Sequence, residues 1–562
     1  MMKKRLPKGI SNFEKLIEEG YYYIDKTEYI EKIEELEDSV LMFVRPRKFG
    51  KTLFTSVLEN YYDKLKVDKF EELFGETYIG KNPTENRNKY CILKFNFSGI
   101  DTTNLETTIN GFKNEVGSSI DYFVKKYNLD YIVNYELTAE SILDTLFKAF
   151  DIQRANEKIY VIIDEYDHFA NELLGFDFDN FKNLVTKNGK VRKWYEILKK
   201  GTEKVVDRIF MTGVAPITLD GMTSGFNISK DITRDVRFNE MMGFTENQVI
   251  ELMESQGLDK EKQEILLPIM KENYDGYKFM LNGKEFLYNS NMSLNFLTDY
   301  IGLGVMPESF VDTNIASDYK KLSNMLNTCS AENRVDIIEK TISGEGIASN
   351  ITEKFNPEIG FGEKELISML YYLGYLTVKG ENLGLPFLQI PNYVMKELYA
   401  DYFLEILQQE TQIVPDKGLI DILRDLAVNG KVDKIVERLE EYLRHLSNRD
   451  FAKFDEKYVK VLFFSIAMNM KNIYFVKSEP EFERKYPDIL LVPKKLDKGY
   501  KAILIEFKYL KRGEEEKLEE KQKQAREQVL EYSKIEEINK IKDLKKFAIV
   551  AVVDKAYIEE IE

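Results

Sequence analysis

The 562-residue sequence predicts an α/β multidomain protein, and three observations carry that prediction. Up to about Glu240, short and nearly continuous apolar runs alternate with helix-like stretches, the pattern of buried parallel strands joined by crossover helices. From about Gly243 to Ala400 the pattern turns mainly helical, and a last α/β segment ends in the strand-like run Phe547 to Val553. The chain is far longer than one hydrophobic core usually supports. Boundaries are therefore expected near residues 1–242, 243–400, 401–445 and 446–562.

Taken in order, the first four strand candidates are Val40 to Val44, Tyr90 to Phe97, Ile159 to Ile163 and Arg208 to Thr212. Each is a run of β-branched, aromatic and other apolar residues with little alternation, as expected of strands covered on both faces. Between them, Leu105 to Tyr127 and Thr138 to Phe150 have helical spacing. Glu246 to Ser255 and Glu363 to Leu373 continue as helices. The short runs Tyr375 to Val378 and Phe387 to Ile390 follow the second of these, giving a helical lid and then a small winged-helix-like unit. Lys417 to Leu446 reads as a helical connector into the final α/β segment.

Composition narrows the chemistry. With 43% apolar and 31% charged residues and no apolar run near the ~18 needed to cross a bilayer, the chain reads as cytoplasmic with no membrane partner. The two cysteines, Cys91 and Cys329, support neither a disulfide framework nor a zinc ribbon. Two histidines, His168 and His445, are too few for a His-ligated metal cluster or an obvious His-based triad, so any metal is expected on carboxylates. The net charge of −16 argues against non-specific coating of nucleic acid. A local basic run, Lys187 to Lys204, contains Trp194 and Tyr195. It is compatible with phosphate contact and base stacking, and reads more readily as a solvated helix face over a buried aromatic.

The first chemistry-bearing motif is Arg45-Pro46-Arg47-Lys48-Phe49-Gly50-Lys51-Thr52, between the first strand and the amphipathic stretch Leu53 to Tyr62. A tight turn at a helix N-terminus offers backbone N–H groups to an anion, and Gly50 permits close approach. Lys51 would reach the β- and γ-phosphates of ATP or another NTP, and the Thr52 hydroxyl would bind Mg²⁺. The first glycine of GxxxxGK[ST] is replaced by Arg45. Support comes from the run Ile159 to Ile163, which ends in Asp164 and Glu165. Adjacent carboxylates leaving a buried strand suit a cation and a water, with Asp164 in the Mg²⁺ shell and Glu165 as the base that activates the attacking water. Thr212, at the polar end of the fourth strand, is a further candidate near the γ-phosphate.

The second motif pairs Pro487-Asp488 with Glu506-Phe507-Lys508, each beside an apolar run. Ile489 to Val492 and Ala502 to Tyr509 can pair as a hairpin, which places Glu506 and Lys508 on one face and Ile505 and Phe507 on the other. Asp488 and Glu506 are hard oxygen donors suited to Mg²⁺ or Mn²⁺, and such a cation polarises a scissile phosphate and activates a water. Lys508 would orient that water or neutralise developing charge.

Leu6 to Phe13, Tyr23-Ile24-Asp25-Lys26-Thr27, the Arg45 to Thr52 loop, Met211-Thr212-Gly213-Val214, Gly243-Phe244-Thr245, Tyr274 to Phe279 and Gly374-Tyr375-Leu376-Thr377 carry a resemblance. The chain resembles bacterial AAA-ATPase-like proteins with a C-terminal PD-(D/E)XK nuclease domain. The resemblance covers nearly the whole chain and makes Arg-Pro-Arg the usual start of the loop. It implies an AAA-like parallel sheet with Arg47 and Phe49 beside the nucleotide, and a nuclease-like α/β domain. It adds two weaker nuclease candidates: Glu481 as an upstream acidic residue, with Glu479 and Glu483 as alternatives, and Gln528 in the helix Glu519 to Tyr532. The function expected is an ATP-controlled, metal-dependent endo- or exonuclease, acting on foreign or mobile nucleic acid, with DNA ahead of RNA and a homo-oligomer allowed. The alternative is a nucleotide-dependent switch that binds nucleic acid or a partner protein without cutting.

Overall fold

Buried apolar runs make the strands of the N-terminal sheet, and the polar groups at their ends make its site. In the computed structural model, the described residues are 4–168, 189–217, 226, 228–307, 310, 322–324, 326, 331–355, 362–413, 418–446, 455–494 and 498–562. The chain divides into two compact units, one of residues 1–328 and 348–392, the other of residues 329–347 and 393–562.

In the first unit, β1 (Val40–Val44), β2 (Tyr90–Asn96), β3 (Lys158–Asp164), β4 (Val206–Gly213) and β5 (Lys230–Asp231) form a five-stranded sheet in the order β2-β3-β4-β1-β5. All the pairings are parallel. Every residue of β1 is buried, as are six of seven in β3, which is why these strands show no alternation. Helix α1 (Lys51–Tyr62) packs on β2 and β3, while α2 (Leu105–Lys126) packs on β2 and on α3 (Ala139–Gln153). Asn104 and Thr107 form a capping box at the start of α2. The register sets Asn96 beside Asp164 and Phe43 beside Thr212, so the carboxyl ends of β1, β3 and β4 converge. In open α/β sheets that end is where ligands bind.

Helix α4 (Lys190–Gly201) carries the basic run with Trp194 and Tyr195. Both rings are fully buried, and Trp194 meets Phe95, Phe97 and Phe112 edge-on. Base stacking is therefore excluded for these two residues: helical spacing turned them into the core. Arg192 pairs with Glu196, and Lys200 with Asp144. Lys187 lies outside the described residues, as does Cys329, while Cys91 is buried as expected.

The following helices, Glu246–Ser255, Lys260–Tyr274 and Ser290–Leu303, belong to the same unit, as do Glu363–Tyr372 and the hairpin β6 (Thr377–Asn382) and β7 (Leu385–Gln389). Both strands extend to the turn, further than the apolar runs alone indicate. Leu383 and Gly384 have φ of +50° and +80°, the geometry of a two-residue hairpin turn that matches strand twist.

The second unit holds the helix Tyr393–Thr411, which runs through residue 400, and the helix Asp433–Leu446. The expected single connector over 417–446 is broken after Asn429, where Gly430 takes φ +66°. Its sheet is mixed, in the order β12-β11-β10-β9-β8, built from β8 (Tyr474–Ser478), β9 (Ile489–Pro493), β10 (Ala502–Leu510), β11 (Leu544–Val552) and β12 (Lys555–Ile561). β9 and β10 pair antiparallel, with Ile489 opposite Ile505, and β10 pairs with β11 in parallel. Helix α5 (Glu456–Met468) packs on β10 through Phe463 and Phe507, whose rings lie 4.8 Å apart. Helix α6 (Leu518–Tyr532) contributes Ala525, Val529 and Tyr532 to a core cluster with Leu490, Leu504 and Ala548.

Candidate functional sites

The loop from Arg45 to Thr52 turns at Gly50, the N-cap of α1, with φ +97°. A Cβ there would meet only Ser290 Oγ at 3.8 Å, so the backbone conformation, more than crowding, calls for glycine. Lys51 is buried, and its Nζ donates to the carbonyls of Arg45 and Pro46, both at 3.1 Å. Glu165 Oε1 lies 3.9 Å from the same Nζ. Glu165 itself has φ +53°, a left-handed backbone for a non-glycine residue.

Asp164 is fully buried, and neither carboxylate oxygen has a hydrogen-bond partner of ordinary geometry within the protein. Burial raises its pKa and Glu165 adds to the rise, while Thr52, Lys51 and Lys94 oppose it. Two orphaned acceptors beside a threonine hydroxyl form a donor set that suits a hard cation. Thr212 on β4 is also fully buried, with an unpartnered Oγ1. Arg45 sits within the fold, away from solvent. Its Nη1 donates to Val44 O at 3.0 Å and Thr233 O at 2.9 Å, and Nη2 to Phe238 O and Asn239 O at 3.4 and 3.3 Å. Its guanidinium lies 4.2 Å from the ring centroids of both Phe43 and Phe279. Burial pushes its pKa down to about 10, so it stays charged at neutral pH.

A cleft of ≈ 260 Å³ runs from this loop. Lys48, Phe49, Gly50, Lys51, Thr52 and Glu165 line one part, and apolar residues such as Pro7, Ile10, Tyr22, Ile24, Met241 and Met242 line another. Phe49 reaches the cleft as part of an aromatic cluster, its ring edge-on to Tyr277 at 5.0 Å and Phe279 at 5.6 Å. Arg47 contributes its backbone carbonyl to Asn289 Nδ2 at 3.4 Å. Lys26, which sequence reasoning left without a role, also lines the cleft; its Nζ donates to Glu240 O and Gln248 Oε1. Burial pushes its pKa down to about 8.

In the second unit, the antiparallel register carries Asp488 to the position opposite Glu506. Asp488 Oδ2 accepts from the Phe507 N–H at 2.7 Å, and Lys508 Nζ donates to Glu506 Oε1 at 2.9 Å and Phe507 O at 3.0 Å. Asp488, Glu506 and Lys508 are all buried, and Glu506 Oε2 has no hydrogen-bond partner of ordinary geometry; burial and then the charges of Glu506 and Asp488 raise the pKa of the neighbouring Tyr532 hydroxyl. Burial, with the nearby Asp488 charge, pushes the Glu506 carboxyl up to about 7. Burial raises Asp488 too, against the pull of Lys460.

Lys460 and Glu456 are the residues that sequence reasoning missed. Lys460 Nζ lies 2.5 Å from Asp488 Oδ1 and 3.2 Å from Glu456 Oε1, and Glu456 also lies 3.4 Å from Lys508 Nζ. The sequence shows only two opposite charges four residues apart on a largely apolar helix, which does not point to Asp488.

Of the weaker candidates, Glu481 is exposed, and its charge acts on the Tyr486 hydroxyl. Glu483 is exposed as well. The upstream carboxylate that shares the field of Asp488 and Lys460 is Glu479, half-buried and raised in pKa first by burial. Its backbone N–H donates to Asp488 O at 3.0 Å. Gln528 lies half-buried on α6, one turn before Tyr532, and is not a hydrogen-bond partner of Asp488, Glu506 or Lys508. Among the described residues, no three or more His, Cys, Asp or Glu side chains gather into a group that could hold a metal. A cation at Asp488 and Glu506 would therefore draw the rest of its shell from substrate and solvent. The orphaned Glu506 Oε2 fits that role.

Comparison with known proteins finds two family matches, one in each part of the chain. Residues 7–223 match the family described as a predicted AAA-ATPase, and residues 454–561 match the PD-(D/E)XK nuclease superfamily. The chain thus joins an N-terminal ATPase-like module to a C-terminal nuclease-superfamily module. It is 25% identical over 302 residues to an uncharacterized protein in the vnfD 5' region of Azotobacter chroococcum mcd 1. That match covers 50% of this chain and 49% of the relative, about half the length of each. Among the described residues, no helix is long and apolar enough to cross a membrane.

Proposed function

We propose that the protein is an ATP-binding and ATP-hydrolysing, metal-dependent nuclease whose phosphodiester cleavage is controlled by nucleotide, with DNA as its substrate. The observation that carries the reading is the buried carboxylate pair Asp488 and Glu506, with Lys508 on Glu506 and one carboxylate oxygen left unsatisfied. Burying such a group is costly without a cation or substrate to use it.

In this reading Lys51 leaves the Arg45 and Pro46 carbonyls for the β- and γ-phosphates, and Thr52 and Asp164 would hold Mg²⁺. Glu165 takes the proton of the attacking water, and the apolar part of the cleft receives the base. At the other centre, Asp488 and Glu506 would hold Mg²⁺ or Mn²⁺, which would supply electrophilic activation of the phosphate. Lys508, on the same face as Glu506, neutralises charge that develops on the phosphate oxygens.

The test is incubation of the full chain with plasmid, linear DNA and RNA, with Mg²⁺ or Mn²⁺, with and without ATP. Cleavage is expected to require the metal, to disappear in Asp488→Ala and Glu506→Ala, and to be lost in Lys508→Ala while metal affinity is retained. It is also expected to change with ATP in the wild type. A wild type that cuts no nucleic acid with either metal overturns the nuclease reading in favour of a switch that binds without cutting. Cleavage that ignores ATP removes the nucleotide control alone.

A further inference from the structure

In the resting centre, three of the four carboxylate oxygens of Asp488 and Glu506 are already engaged. Lys460 takes Asp488 Oδ1, the Phe507 N–H takes Asp488 Oδ2, and Lys508 takes Glu506 Oε1. The fourth, Glu506 Oε2, is buried and has no hydrogen-bond partner of ordinary geometry, with the Tyr532 hydroxyl as its neighbour on α6. A cation bridging the two residues needs an oxygen from each. The Phe507 N–H is fixed in strand β10 and cannot withdraw, whereas Lys460 is the end of a flexible side chain on α5. Lys460 also has a second seat within reach, Glu456 Oε1 at 3.2 Å, one helical turn away.

We propose that Lys460 is an exchangeable placeholder: it holds the position on Asp488 Oδ1 that a divalent cation takes on loading, and it then serves as a second positive group for the phosphodiester. The inference rests on the metal-dependent nuclease reading above. Its physical basis is charge balance. Two carboxylates this deeply buried need compensating positive charge before a metal arrives, and Lys508 alone supplies one. After exchange, the displaced ammonium keeps Glu456 as its partner and stays at the edge of the centre. The side chain of Lys460 is 18% exposed against 4% for Asp488, so the lysine stands on the solvent side of the carboxylate. The ammonium is held between two carboxylates, Asp488 Oδ1 at 2.5 Å and Glu456 Oε1 at 3.2 Å. Lys460 is a positioning residue for the metal and a contact for the phosphate, a role separate from that of Lys508.

The experiment is Mn²⁺ titration calorimetry on the full chain. Wild type, Lys460→Ala, Lys460→Arg and Asp488→Asn are compared, together with duplex DNA cleavage at saturating Mn²⁺. Lys460→Ala is expected to bind Mn²⁺ about tenfold tighter, because no ammonium competes for Asp488, and yet to cut at least about tenfold more slowly. Lys460→Arg, which keeps the charge and guards against a folding defect in the alanine variant, is expected to bind Mn²⁺ as the wild type does. A misfolded centre would lose affinity and activity together, so opposite movement of the two is the signature. Equal or weaker Mn²⁺ binding by Lys460→Ala, with wild-type binding abolished in Asp488→Asn, overturns the placeholder and leaves the metal centre standing. Wild-type binding that is absent, or unchanged in Asp488→Asn, overturns the metal centre and the placeholder with it.

Discussion

Replacing Arg45 by glycine would give the loop the residue that a GxxxxGK[ST] pattern has at that position, yet the structure expects this change to damage the fold. Arg45 is 1% exposed and binds four carbonyls: Val44 on β1, and Thr233, Phe238 and Asn239 in the segment after β5. The two bonds near 3.0 Å are worth about 1.5 kcal/mol each as bonds from a charged donor. The two longer ones add roughly 1 kcal/mol together, and loss of contact with the faces of Phe43 and Phe279 costs about another 1–2 kcal/mol. Relief from burying a cation returns part of this, leaving a net loss of about 3 kcal/mol. The single tryptophan of the chain, Trp194, is fully buried in this same unit, so its fluorescence during urea unfolding reports on the unit directly. Arg45→Lys should fall between wild type and glycine, because one ammonium cannot span four carbonyls. An Arg45→Gly protein within about 1 kcal/mol of wild type would falsify the anchoring role.

The remaining expectations concern the same module. Lys51→Ala should weaken ATP binding about a hundredfold by calorimetry, while Glu165→Gln should keep the affinity and slow turnover; equal affinity in Lys51→Ala removes the phosphate-loop assignment. Asp167, fully buried and accepting from the Val214 and Ala215 N–H groups, has its carboxyl pushed by burial from 3.8 up to about 6. A pKa raised in the folded state stabilises below the unfolded value and loses that contribution as pH rises through the folded one, so the N-terminal unit should lose roughly 3 kcal/mol between about pH 4 and pH 6 from this group. Trp194-monitored unfolding of wild type against Asp167→Asn measures it, and identical pH profiles would refute the assignment.

Strands β1, β3 and β4 were legible because parallel strands covered on both faces read as unbroken apolar runs, and helix Glu246–Ser255 because its caps, Thr245 and Gln248, stand in the sequence. The antiparallel pairing of β9 and β10 was legible from two apolar runs joined by a short turn-like stretch, and period-two geometry put Glu506 and Lys508 on one face. What stayed hidden depends on contacts between residues distant in sequence. Nothing local marks Lys460 as a neighbour of Asp488, 28 positions away, nor separates Glu479 from Glu481. The ends of β6 and β7 were missed because Leu383, 97% exposed and with positive φ, is an unfavourable residue for the turn it occupies. Trp194 and Tyr195 sit among lysines in the sequence, and only the helix phase turns them inward.

The left-handed backbone of Glu165 bears on how this position can change over time. A residue with a branched or long side chain at φ +53° gives up roughly 1 kcal/mol relative to glycine, and asparagine or aspartate would sit there more comfortably. Conformational preference alone would therefore let random substitution drift toward those residues, with a small gain in stability at each step. If Glu165 is the base of the proposed ATPase, the loop trades a little stability for a carboxylate beside Lys51 at the mouth of the cleft.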